Sequence, residues 1–129
     1  QISLTEDLSR HFGYRFMIGV YRGTSNDLFF VFTINDWEYS KAAILTQELG
    51  FFDRLLSPFL VDTTFSSDLA GAGMVDEVVK NKDARVVKNK LNQTLAIYSF
   101  LDQQTLVVTQ NEEALSRLID NFNTPRPGQ

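Results

Sequence analysis

The chain has 129 residues, 43% of them hydrophobic, with a formal net charge of -4 and no cysteine. This length suits one domain with a sizeable core, and the acidic balance disfavours non-specific binding to nucleic acid or to anionic lipid. The lack of cysteine excludes a disulfide framework, a thiolate metal site and a cysteine nucleophile.

The N-terminal part predicts a helix followed by a β-hairpin. A capping-box pattern at residues 3–6 predicts a helix over residues 4–12. Two runs of alternating apolar residues follow, at 14–21 and 28–34, and the stretch between them, 23–27, is rich in turn-forming residues. Two such runs separated by turn chemistry are typical of a β-hairpin.

A helix is predicted directly after this hairpin. Asn35 and Glu38 have the spacing of a capping box, and an apolar helical face continues as far as Gly50. Residues 51–56 predict further helical turns. The stretch 61–74 is rich in Thr, Ser, Asp and Gly, and we interpret it as a surface connection and as the most mobile part of the chain.

The second half opens with a short repeat. The pentapeptide Val-Val-Lys-Asn-Lys occurs at residues 78–82 and again at 86–90. Pairs of β-branched residues followed by polar turn formers predict short strands over residues 77–88. Lysines at such positions are typical of a sheet edge, where they discourage pairing with other chains.

A second hairpin and a helix complete the pattern. The runs 94–101 and 105–109 predict two strands around a tight turn. Thr109 or Asn111 is the expected cap of the last helix, which has acidic residues in its first turn and an apolar stripe. Residues 123–129 are interpreted as a tail or linker.

The two halves of the chain share a pattern. We therefore predict an α+β fold in which two ββα repeats share an antiparallel sheet, with the helices packed mainly on one face. In this interpretation residues 1–122 form one domain, made of unit one (14–60), a connection (61–74) and unit two (75–122). A shift of 76 positions superimposes Val31, Thr33, Asn35 and Ser40 on Val107, Thr109, Asn111 and Ser116.

Both faces of the predicted hairpins are apolar, so both need to be covered. The two capped helices would cover one face. The other face is a candidate interaction surface, to be covered by the first helix and the 51–60 segment, by a second copy of the chain, or by a ligand. It is expected to carry Met17, Tyr21, Phe29, Tyr98 and Phe100.

No catalytic, cofactor or metal motif stands out. His11 is the single histidine, and its place at a helix end favours a capping role over catalysis or metal binding. Asn81, Asp83 and Arg85 form a candidate polar cluster. Asp83 and Arg85 are two apart on a predicted strand, so they share a face and would pair with each other, or would bind a ligand.

Four stretches carry a resemblance to a known family: residues 30–42, 79–86, 97–102 and 105–113, with Asn-Lys-Asp-x-Arg and Tyr-x-Phe motifs in the second and third. The chain resembles an uncharacterised family of proteins from ultrasmall candidate-phylum bacteria (Patescibacteria). The resemblance implies a single-pass membrane protein whose extracytoplasmic domain belongs to the cell envelope, and it supplies no catalytic residue. Because no apolar run here is long enough to span a membrane, a leader or anchor is expected outside this sequence.

Two hypotheses for function follow from these patterns. The first is a non-enzymatic cell-envelope module that binds another protein or a second copy, without nucleic acid or a cofactor. The second is a small-molecule or glycan-binding module, with a concave pocket that has Trp37 or Tyr98 in its wall. A hydrolase is a third interpretation, and it would need convergent acids in such a pocket.

Overall fold

Six strands form one antiparallel sheet in a computed structural model that describes residues 12–23, 26–60 and 64–123. Along the sheet the strand order is β1-β2-β6-β5-β4-β3, so β1 and β3 are the edges. The predicted N-terminal helix lies outside the described residues except for Phe12, which belongs to a strand. The strands are β1 (Phe12–Arg22), β2 (Asn26–Ile34), β3 (Gly73–Val79), β4 (Lys82–Lys88), β5 (Thr94–Asp102) and β6 (Thr105–Thr109).

Four α-helices accompany the sheet in the described part of the chain, which makes the α+β class correct. A short 3-10 turn over Ser57–Phe59 follows the second helix. Both predicted hairpins are confirmed, β1 with β2 and β5 with β6. The helices are α1 (Trp37–Leu45), α2 (Glu48–Leu56), α3 (Phe65–Ala70) and α4 (Glu112–Asn123).

Two apolar cores lie on opposite sides of the sheet. We call the side that α1, α2 and α3 cover the upper face, and the side that α4 covers the lower face. On the upper face, Phe30 and Leu106 pack with Phe51 and Phe52 of α2. The lower core contains Val86, Ile97, Val107, Leu115 and Ile119.

Three of the four described helices lie on one face, but the prediction that the two helices after the hairpins, α1 and α4, share that face is wrong. Side chains alternate between the faces along a strand, and each helix packs on the face toward which the last residue of the preceding strand points. Ile34, at the end of β2, belongs to the upper core that α1 joins. Thr109, at the end of β6, is opposite Phe29 and on the same face as Val107, which α4 covers.

Helix boundaries differ from the predictions at two points. The cap of α1 is Asp36, not Asn35, and its carboxylate accepts a hydrogen bond from the amide of Tyr39 at 3.0 Å. Asn111 caps α4 as expected, accepting from the amide of Ala114 at 2.8 Å. The single helix predicted up to Gly50 is two helices, because the backbone turns at Gln47, where φ is -147° and ψ is 42°.

The predicted connection 61–74 is not simply a surface loop. It contains α3 and the first residues of β3. The apolar Phe65 and Leu69 of α3 are buried in the upper core. Asp53 of α2 ties α3 in place by accepting hydrogen bonds from the hydroxyls of Ser57 and Ser66. These two bonds lower the pKa of Asp53.

Leu69→Ala tests this packing of α3. We expect the free energy of unfolding to fall by about 3 kcal/mol, because the substitution leaves a cavity in the upper core. Chemical denaturation monitored by tryptophan fluorescence measures the change. Ser67→Ala on the exposed side of the same helix is the matched control, and equal stability of the two variants would contradict the packing of α3.

Candidate functional site

A cleft of ≈ 890 Å³ opens on the upper face, between α1 and strands β3, β4 and β5. Volumes of this size are typical of ligand sites. The hairpin turns that join β3 to β4 and β5 to β6 lie at one end of the cleft, represented in its lining by Asn81 and Gln103.

One side of α1 forms a wall of the cleft. Trp37, Lys41 and Leu45 are spaced by four residues, so they lie above one another on the helix. The indole of Trp37 packs edge-on against Phe100 of β5, with ring centroids 6.5 Å apart and planes at 86°. The Lys41 ammonium lies 5.0 Å from the centroid of the same indole. This wall therefore combines an anchored aromatic ring with a cation.

The floor of the cleft is a row of side chains across three strands. Tyr98 of β5 is directly opposite Arg85 of β4, and Arg85 is directly opposite Asp76 of β3. Residues opposite one another in an antiparallel pair point to the same face. The sheet register therefore aligns a phenol, a guanidinium and a carboxylate.

On the same face, this row contacts the buried carboxylate of Glu48, the first residue of α2, which is 8% exposed. Arg85 donates two hydrogen bonds to this carboxylate, from Nε to Oε2 at 2.7 Å and from Nη2 to Oε1 at 2.6 Å. The Tyr98 hydroxyl donates to Oε2 at 2.6 Å. The third nitrogen of the guanidinium, Nη1, donates to Asp76 at 2.9 Å.

The electrostatics of the floor follow from these contacts. Hydrogen bonds to Glu48 and Asp76 raise the pKa of Arg85 above its ordinary value, so its charge is permanent. Burial, and then the hydrogen bond to the Glu48 carboxylate, raise the pKa of the Tyr98 phenol. Arg85 is thus a fixed cation held between a buried and an exposed carboxylate.

The predicted polar cluster lies at this cleft. Asn81, Asp83 and Arg85 all line it. Asn81 occupies the β3–β4 turn, where Lys80 and Asn81 both have positive φ, 51° and 66°, as a type I′ hairpin requires. The expected Asp83–Arg85 pair is replaced by the pairs of Arg85 with Glu48 and Asp76, while Asp83 is exposed opposite Val78.

The predicted interaction surface does not lie on a single face, so this grouping needs correction. Met17 is directly opposite Val31, which belongs to the lower core, so Met17 points to the lower face. Tyr21 on the same strand and Phe29, two residues before Val31, point to that face as well. Tyr98 and Phe100 are on the upper face, opposite Val108 and Leu106. Met17 is 55% exposed and Tyr98 only 2%.

The sequence patterns did not indicate Glu48. An acid in the first turn of a helix is favoured by the helix dipole alone, so its type and place have an ordinary explanation. The break at Gln47, which turns α2 so that Glu48 meets the sheet, involves neither Gly nor Pro. One signal is available in the sequence: Arg85 lies between apolar residues on a predicted strand, and a guanidinium that is partly withdrawn from water needs an acidic partner.

The residues that the structure describes contain no group of three or more His, Asp or Glu side chains that could hold a metal ion. His11 lies outside them. None of the helices in the described ranges is both long and apolar enough to cross a membrane. The chain matches no family model, no curated protein and no solved structure.

Glu48→Gln tests the ion pair between Glu48 and Arg85 at the cleft floor. We expect a loss of about 3 kcal/mol in the free energy of unfolding, because Arg85 loses the charge that offsets its burial. Asp83→Asn is the matched control on the same floor and should change stability by less than about 0.5 kcal/mol. Urea titration measures both, and a larger loss for Asp83→Asn would contradict this assignment of the partners of Arg85.

Tyr98 gives a prediction for alkaline pH. Its pKa is raised in the folded chain, whereas an unfolded tyrosine ionises near pH 10. The folded state therefore holds its proton more tightly, and the stability that this contributes is present below about pH 10 and is lost as pH rises further. Tyr98→Phe should show a shallower loss of stability above about pH 10, measured by urea titration at each pH. Equal slopes for the wild type and Tyr98→Phe would count against this role of Tyr98.

Proposed function

We propose that the domain is a non-enzymatic protein-binding module that takes a segment of its partner into the cleft between α1 and strands β3 to β5. The observation that carries the proposal is that this cleft borders the edge strand β3, so a chain entering it has access to the side of the sheet. Most small-molecule sites are instead enclosed.

The surface of the cleft supports binding to a polypeptide. Val78 of β3 is 67% exposed on its floor, and Leu45 of α1 is exposed on its wall. Trp37, also in the cleft lining, packs against the upper core and contacts the Phe100 ring. Aromatic and apolar side chains at the centre, with charged groups around them, are the usual composition of a protein-binding surface.

The arrangement of the acids favours binding over catalysis. A general acid or base needs a carboxyl group that can exchange a proton with a substrate. Glu48, the buried acid at the floor, already accepts three hydrogen bonds from Arg85 and Tyr98. Its role in this proposal is to hold Arg85 and the floor in position.

The family resemblance described above supports a proposal for where in the cell this module works. We propose that the module works in the cell envelope, outside the cytoplasm, and is anchored to the membrane by a segment that this sequence does not contain. In that location, the partner whose segment binds in the cleft would be another protein of the cell envelope.

A duplicated β-hairpin is the finer interpretation of the fold that we propose. Val31 and Val107, which correspond after the 76-residue shift, lie directly opposite each other in the adjacent strands β2 and β6. A two-fold axis between two copies of one hairpin would give this register. Since α1 and α4 lie on opposite faces, the proposed duplication covers the hairpins and not the helices.

A glycan or small molecule is the second candidate occupant. The specific observation in its favour is that both Trp37 and Tyr98 line the cleft, as the pocket hypothesis expected. A flat indole beside hydrogen-bonding groups suits a sugar ring. This occupant would leave the edge of β3 unused.

Selection from a display library of random 12-residue peptides tests the proposed function. We expect enriched peptides to bind the wild type and to lose at least about tenfold in affinity on Val78→Lys, which blocks the floor. Val75→Lys is the matched control, because Val75 is also exposed on β3 but points to the lower face. Affinities are measured by calorimetry.

Two results would overturn this proposal. One is a selection that enriches no peptide while a glycan panel yields a ligand sensitive to Val78→Lys, which would establish the second candidate. The other is a set of enriched peptides that Val78→Lys and Val75→Lys weaken equally, since binding would then lie elsewhere.

A further inference from the structure

Strand β3 is an edge of the sheet within the residues that the structure describes. It pairs only with β4, in a continuous register from Gly73 to Val79 without a bulge, and no other described strand adjoins it. Its sequence, GMVDEVV, contains neither Pro nor Lys. Proline, charged side chains (lysine above all) and bulges are the usual devices that prevent an edge from pairing with another chain. Of these β3 has only the acids Asp76 and Glu77, which disfavour an acidic neighbouring strand but not a basic one. This edge therefore retains the geometry that an added strand needs.

The side chains of β3 continue the cleft floor to this edge. Asp76 and Val78 point to the upper face, since they lie opposite Arg85 and Asp83. An added strand would place alternate side chains on the same face, directly beside Asp76 and Val78. A peptide paired with β3 would thus direct every second side chain toward the cleft.

The charges of the floor indicate what the adjacent side chain should be. Glu48, Arg85 and Asp76 alternate in sign from the core to the edge. The Asp76 side chain is 83% exposed. Asp83 adds a second exposed carboxylate, so the floor has three acids and one guanidinium, and the nearest cation on the helical wall, Lys41, lies over the Trp37 ring. The next position outward therefore favours a positive charge.

The same charge disfavours a second copy of this chain as the occupant. Asp76 is the central residue of the seven in β3. Symmetric antiparallel pairing of two β3 strands would place Asp76 directly opposite Asp76 of the other copy, and like charges in that position are destabilising. The edge is thus better suited to a basic segment than to itself.

We propose that the partner supplies an extended segment that pairs with β3 as a seventh strand and places a lysine or arginine side chain beside Asp76. This inference rests on the proposed function and specifies its partner. Backbone hydrogen bonds to β3 supply affinity, and the basic side chain sets the register and the preference.

Designed heptapeptides test this inference. The probe is acetyl-Thr-Val-Thr-Lys-Thr-Val-Thr-amide, whose Val, Lys and Val side chains lie on one face of a strand, and its partner probe has Glu in place of Lys. We expect the Lys peptide to bind the wild type about tenfold more tightly than the Glu peptide, because the Glu side chain would oppose Asp76. Calorimetry gives the affinities.

Variants of the protein isolate Asp76. Asp76→Asn should reduce the affinity of the Lys peptide by about fivefold and remove most of the preference over Glu. Glu77→Gln, the neighbouring acid on the lower face, is the matched control and should change affinity by less than about twofold. Urea titration of each variant confirms that it is folded before binding is compared.

A second pair of probes tests the strand pairing itself. Methylation of alternate backbone nitrogens in the Lys peptide gives two isomers, and only one of them loses the nitrogens that would donate to β3. We expect that isomer alone to lose binding. Hydrogen exchange measured by NMR should show that the unmethylated Lys peptide protects amides of β3 from exchange.

The outcomes separate this inference from the proposed function. Peptides that bind and are sensitive to Val78→Lys, but that do not protect β3 amides or do not respond to Asp76→Asn, would overturn the added strand and leave the cleft as the binding site. Failure of both the heptapeptides and the library selection would overturn both proposals.

Discussion

The ion pair between Glu48 and Arg85 is the contact on which the architecture of the cleft depends. Taking a carboxylate out of water is costly, and attraction to one cation often does not offset that cost unless the other oxygen lone pairs also find donors. Glu48 meets this condition, since both of its oxygens bind Arg85 and one also accepts from Tyr98. The pair thereby ties the start of α2 to β4 and β5. Because Thr46 and Gln47 alone separate α2 from α1, it also positions the helical wall of the cleft.

An arginine is required at this position by geometry as well as by charge. The planar guanidinium presents Nε and Nη2 to Glu48 on one side and Nη1 to Asp76 on another. An ammonium group is a point charge without this fork, so lysine could not hold both acids in fixed directions. The result is a rigid connection from the buried end of α2 to the exposed edge of the sheet. Rigid floors bind with a smaller loss of conformational entropy than mobile ones.

The sequence predicted the hairpins well because the two-residue alternation of side chains is a local property. The alternation in β1, β2, β5 and β6 was sufficient to locate each strand within a few residues. The relative phase of different strands is not local. It depends on loop lengths and on bulges such as those between Val87 and Lys88 and between Phe100 and Asp102. For this reason the sequence pattern predicts Tyr98 and Phe100 on the face of Met17, although they point to the opposite face.

Candidate site residues were predictable to the extent that their own segment identified them. Asn81, Asp83 and Arg85 stood out as a dense polar cluster on a strand, and all three line the cleft. Their partners did not stand out, because Glu48 is 37 residues from Arg85 and is contributed by a helix whose start has no glycine or proline. Long-range ion pairs of this kind are settled by packing, which a single sequence does not encode in any local pattern.

The helices cover the two faces of the sheet to different extents near the edge strand β3, so this strand can be stable while part of it stays exposed. On the upper face the helices pack over the centre of the sheet, and Val78 at the edge stays exposed. On the lower face Val79 of the same strand is buried in the core that α4 completes, and Lys80 next to it pairs with Asp120 of α4 at 3.5 Å. Strand β3 is thus held from below by α4 and from the side by β4. Burial on one face supplies the stability of the strand, so folding does not require its upper face or its outer edge to be covered.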